Sequence, residues 1–146
     1  MSLDSIRKVR VQTVESLMME LSHIAQTLTQ SEEQYRTMES QIRADAEVYA
    51  QQATHGLTIE DLLEWQGRMA AQRSALQQLR VTIDHATSVW QQTKERLVGA
   101  KQECTILERV AEQRQAAIQA TIARREQQAA DEAAHRQVSI RGRGDS

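Results

Sequence analysis

From Val14 onward, apolar residues recur at alternating steps of three and four. One row holds Val14, Leu21, Leu28, Tyr35, Ile42 and Tyr49; the other holds Leu17, Ile24, Ser31, Met38 and Asp45. Such steps place both rows on one face of an α-helix. A sustained seven-residue period is that of a left-handed coiled coil. Before Val14 the phase slips: Arg7 and Arg10 fall on the seam while Ile6 and Val9 do not. The first turns are therefore expected to fray or to pack differently. Ser31 and Asp45 interrupt the seam, either as register devices or as places that a partner fills.

The rhythm stops at "QQATHGLTIEDLLEW". Gly56 suits the left-handed conformation that ends a helix. Thr58 is a good N-cap with Asp61 three residues on, and Leu57 and Leu62 stand at hydrophobic-staple spacing. These signals predict a tight turn at 54–57. The rhythm then resumes in a new frame. One row runs Leu62, Met69, Leu76, Ile83, Trp90, Leu97, Cys104, Ala111 and Ile118. Its companion runs Trp65, Gln72, Leu79, Ala86, Thr93, Ala100, Leu107 and Arg114. The seam weakens after Leu107.

A short turn forces two such helices antiparallel. The expected fold is all-α: two long helices forming an antiparallel coiled-coil hairpin, as a single domain over 1–137. Helix one is expected at about 5–53 and helix two at about 58–137, with a disordered tail at 138–146. Matching the rows sets Tyr49 opposite Trp65, Ile42 opposite Gln72, Tyr35 opposite Leu79 and Leu17 opposite Leu97. Three flanking ion pairs follow: Glu39 with Arg73, Glu32 with Arg80 and Glu20 with Arg96. Helix two is the longer. Its overhang beyond Leu107 measures on the order of 45 Å at about 1.5 Å per residue. A lone helix rich in Ala, Gln and alternating charge is marginal in water, so the overhang is expected to find a partner.

Composition narrows the function. In 146 residues there is no Phe or Pro, aromatics are 3% and helix formers dominate, the profile of a coiled coil. A net charge of −2 lends no support to nucleic-acid binding. No apolar run approaches the roughly 20 residues of a membrane span, so no direct membrane insertion is expected. "MSLDSIRKVRVQ" lacks the apolar centre of a signal peptide. The single cysteine, Cys104, lies on the seam as a packed small residue and suits a reducing compartment.

Candidate chemistry is sparse. His23, His55, His85 and His135 have no second ligand at metal-binding spacing and read as solvated helix residues. There is no Gly-rich phosphate loop, and a two-helix rod offers no concave pocket. No catalytic, cofactor-binding or metal residues are expected, and the protein is expected not to be an enzyme. Arg7, Lys8 and Arg10 cluster near the open end of the hairpin, as do Arg109 and Arg114. They form either a solvated face or a contact for an acidic partner. Trp65, near the turn and beside outward Leu63, is a core residue or a binding anchor. Met18, Met19, Val81, Val98 and Ile106 lie off the seam. "RGD" at the C-terminus is treated as chance.

The segments "GLTIEDLLEWQGRMAAQRSAL", "VWQQTKERLVGAKQECTILERV" and "RREQQAADEAAHR" resemble the FliJ/YscO family, the coiled-coil stalk proteins of bacterial type III secretion. "LLEWQ" resembles the injectisome branch, toward which the reading leans; Trp90, Lys94, Arg96 and Leu97 resemble "W…K…RL" of the flagellar branch. The resemblance implies a stalk similar to the rotor of rotary ATPases. Its open end would enter the pore of a hexameric secretion ATPase, and another part would touch the cytoplasmic domain of the export gate. Some members also bind export chaperones. The ATPase contact then maps to Arg7, Lys8, Arg10, Arg109, Arg114, Arg124 and Arg125. The gate contact maps to Leu63, Trp65, Arg68 and Gln72. The implied location is cytoplasmic, at the base of a membrane secretion apparatus. Two other readings compete: a self-associating structural scaffold, and an escort chaperone for a secreted partner.

Overall fold

The computed structural model describes residues 2–144. It contains two helices, α1 (Leu3–Thr54) and α2 (Ile59–Gly144), and no strand among the described residues. They belong to two compact units, Gln12–Ala100 and Met1–Val11 with Lys101–Ser146.

In the first unit the chain reverses where the local signals predict. Gly56 has φ +91°, a conformation that costs a residue with a Cβ. His55 and Gly56 donate their N–H groups back to the carbonyls of Gln52 and Ala53, closing α1. On the other side Thr58 caps α2: its Oγ1 accepts from the Asp61 N–H at 3.1 Å. Leu57 and Leu62 are both half-buried, as a staple requires.

The two helices then pack antiparallel in the predicted register. Tyr49 meets Trp65 edge to face, with ring centroids 5.8 Å apart. At the other end of the unit Leu17, Leu97 and Ala100 form a buried cluster flanked by Val14 and Leu21. Ile83 is buried midway. Each such large side chain contributes roughly 1.5–3 kcal/mol when fully buried, so the seam carries the stability.

The three predicted ion pairs do not form. Glu39 turns to Arg43 on its own helix at 3.7 Å, and Arg80 turns to Asp84 at 3.5 Å while lying over the Tyr35 ring. Glu32, Arg73, Glu20 and Arg96 make no ion pair among the described residues. Exposed pairs are worth about 0–1 kcal/mol. A partner four residues away on the same helix therefore competes on equal terms with one across the seam.

In the second unit α1 does not fray. Ser2 caps it, accepting the Ser5 N–H on Oγ at 3.2 Å. The phase slip is resolved in one row only: Leu3, in step with Leu17, is half-buried, Ile6 is half-buried in place of Arg7, and Arg7 and Val9 are exposed. Arg10 reaches Glu103 across the pair at 2.8 Å. On α2, Cys104, Leu107, Val110 and Ala111 are half-buried, and almost every residue after Ala111 is exposed. The helix runs on through 138–144, where a disordered tail is predicted. Nothing there breaks it: no Pro stands in the segment, and exposed polar residues do not oppose a helix that is already propagating. Asp145 and Ser146, the end of that tail and of the "RGD" triplet, lie outside the described residues.

Candidate partner-binding surfaces

The gate candidates near the turn separate into a network and an outlier. Asp45 is 8% exposed on the seam of α1. Its carboxylate accepts from Gln41 Nε2 at 3.0 Å and from Gln72 Nε2 across the hairpin, and Arg68 Nε lies 3.8 Å away. Arg68 also sits over the Trp65 ring at 5.4 Å. Trp65 Nε1 donates to Gln52 Oε1 at 2.9 Å. Trp65, Arg68 and Gln72 are thus bound into one polar-aromatic patch with Asp45, Tyr49 and Gln52. Leu63 stands apart on an outward position, 61% exposed. Trp65 is consequently a held side chain rather than a free anchor. Asp45 was visible in the sequence as a break in the seam. Gln52 gave no signal, because an exposed glutamine near a helix end has many possible partners.

The basic candidates at the open end divide as well. Arg7 and Arg114 line one shallow cleft between the start of α1 and α2. Asp4, Glu108 and Glu112 line it too, so its charge is mixed. Arg10 is engaged with Glu103. Lys8 and Arg109 are exposed and do not line the cleft. Arg124 and Arg125 lie farther along α2, past Ile118, where the cleft ends.

Of the "W…K…RL" residues, Trp90 is half-buried and Arg96 is exposed. The Lys94 ammonium lies 5.0 Å from the centre of the Trp90 ring, and Leu97 joins the buried cluster. Among the described residues no three His, Cys, Asp or Glu side chains are placed to hold a metal ion. Likewise no described helix is long and apolar enough to cross a membrane. What this geometry offers is surface: a polar-aromatic patch by the turn, a mixed-charge cleft, and a helix with exposed faces. The class so defined is a helical coiled-coil protein.

Residues 1–143 match the family model described as Flagellar FliJ protein, and the chain belongs to the FliJ family. This places it among the helical coiled-coil proteins of flagellar export and protein transport, a family not known for enzymes. The match is to the flagellar model, whereas "LLEWQ" leans toward the injectisome branch. No curated protein and no solved structure matches the chain.

Proposed function

We propose that the protein is the stalk of a type III export apparatus, coupling a hexameric secretion ATPase to the cytoplasmic domain of the export gate without itself catalysing a reaction. The observation that carries this reading is the end of α2. After Ala111 it presents exposed residues, Arg124 and Arg125 among them, past the point where α1 begins. A helix left without a partner in its own chain gains stability by entering a ring that surrounds it. Family membership supplies the setting.

In this reading Arg7, Lys8, Arg109, Arg114, Arg124 and Arg125 face the ATPase, and Arg10 supports them through Glu103. The patch of Trp65, Arg68 and Gln72, with Leu63 beside it, faces the gate. Export chaperones are further partners along the exposed faces of the hairpin.

The test uses the purified ATPase at a concentration where its hexamer is limiting. Added full-length protein raises the hexamer fraction and the turnover; a chain lacking residues 113–146 does not, yet retains the helical content of the paired region. Unchanged turnover with the intact chain excludes a stalk.

A further inference from the structure

The unpartnered part of α2 carries a second periodicity. Leu107, Ile118, Ala129 and Ile140 follow one another at steps of eleven residues, and so do Ala111, Ile122 and Ala133. Eleven residues make nearly three whole turns, so the two rows form a stripe that stays nearly straight along the helix. The stripe begins under α1, where Leu107 and Ala111 are half-buried, and runs out into solvent. Ile118, Ile122 and Ile140 are 54%, 43% and 69% exposed. Along one edge stands a third row at the same step: Arg114, Arg125 and Arg136. None of the three makes an ion pair among the described residues. From Arg109 to Arg143 seven arginines face four acidic residues, in a chain whose net charge is −2.

We infer that this stripe is a docking site for an acidic amphipathic α-helix with an eleven-residue apolar repeat, whose carboxylates pair with Arg114, Arg125 and Arg136. Continuity and charge point to that occupant. The stripe prolongs the face that α1 already covers, so a second helix laid end to end with α1 completes the same seam. The arginines recur about every 16 Å, at about 1.5 Å per residue, and a partner helix with the same repeat keeps a carboxylate beside each. The change from seven to eleven residues alters the supercoil from left-handed toward straight or right-handed, and a heptad helix would drift off the stripe. A second copy running antiparallel fits poorly, because two-fold symmetry sets one arginine edge against the other. A lipid surface also fits poorly: the stripe is narrow and nearly half alanine, and Glu126, Asp131 and Glu132 lie on the same stretch.

The experiment titrates the full-length protein, by fluorescence anisotropy, against three labelled synthetic helices of about three repeats each. One has leucine rows at eleven-residue spacing edged with glutamate, one has the same composition at heptad spacing, and one replaces glutamate with lysine. The first binds; the other two bind at least about tenfold more weakly. Ile118→Gln with Ile122→Gln abolishes binding. Arg114→Glu, Arg125→Glu and Arg136→Glu together transfer the preference to the lysine helix. All these positions are exposed, and circular dichroism of each variant verifies an intact fold. Equal binding of eleven-residue and heptad helices overturns the proposal, as does binding that survives the isoleucine changes or no binding by any helix. A free protein that is dimeric by light scattering, and made monomeric by Ile118→Gln with Ile122→Gln, assigns the stripe to a second copy instead. Association with anionic vesicles, lost in the same variant while the helices fail to bind, assigns it to lipid. The stripe shares Arg114 and Arg125 with the surface assigned to the ATPase, so the two partners exclude each other there; peptide binding is measured without the ATPase and turnover without the peptide, so the failure of either is read separately.

Discussion

Gln72 donates its side-chain amide across the hairpin to the buried carboxylate of Asp45, joining a polar position in the seam of α1 to one in the seam of α2. In a coiled coil a polar position of this kind costs stability and selects register. A one-residue slip would leave the carboxylate against apolar side chains. Asp45→Ala is expected to destabilise the protein by about 1–3 kcal/mol, because Gln72 and Gln41 lose their acceptor. Asp45→Leu with Gln72→Leu is expected to restore or exceed the original stability and to loosen the register. Urea unfolding reads the first effect and cysteine crosslinking across the seam reads the second. A double variant as unstable as the single one would show that the pair does more than set alignment.

Trp65 makes two separable contributions, a ring contact with Tyr49 and a hydrogen bond to Gln52. Trp65→Phe keeps the first and is expected to cost about 0.5–1.5 kcal/mol. Trp65→Ala loses both and is expected to cost about 2–4 kcal/mol, below a fully buried tryptophan because this one is half-exposed. Thermal unfolding followed at 222 nm ranks the two. Equal losses would mean that the hydrogen bond, not the ring packing, holds the patch.

Leu97 and Ile118 occupy the same row of α2 but opposite environments, one buried and one exposed. Leu97→Ala is expected to cost about 2–5 kcal/mol. Ile118→Ala is expected to stay within about 0.5 kcal/mol of the parent when the protein is alone. A large effect of Ile118→Ala on the isolated chain, dependent on protein concentration, would reveal self-association through that face.

The register read from the sequence sets Glu39 level with Arg73, yet Glu39 pairs with Arg43. A double-mutant cycle on Glu39→Gln and Arg73→Gln is expected to give a coupling energy within about 0.5 kcal/mol of zero. The corresponding cycle on Arg10 and Glu103, in contact at 2.8 Å with both side chains about half exposed, is expected to give a favourable coupling of at most about 1 kcal/mol that shrinks in high salt. Crosslinks between cysteines placed at Glu32 and Arg80 test the level itself: they are expected to form within one molecule although these two residues share no ion pair.

The amino-acid sequence by itself determined the two helices, their reversal at Gly56 and the pairing of Tyr49 with Trp65 and of Leu17 with Leu97. These depend on backbone preferences and on the spacing of apolar residues, which are local properties repeated over many turns. The tertiary structure alone decided the rest. It chose Asp84 over Glu32 for Arg80, since exposed charges have several partners of nearly equal energy and only positions in space separate them. It gathered Gln52, Trp65, Arg68, Asp45 and Gln72 into one patch, because residues distant in the chain meet only once both helices are laid side by side. It also moved one row of the N-terminal seam from Arg7 to Ile6, where burying an aliphatic side chain outweighs keeping the heptad phase that would have placed Arg7 inside.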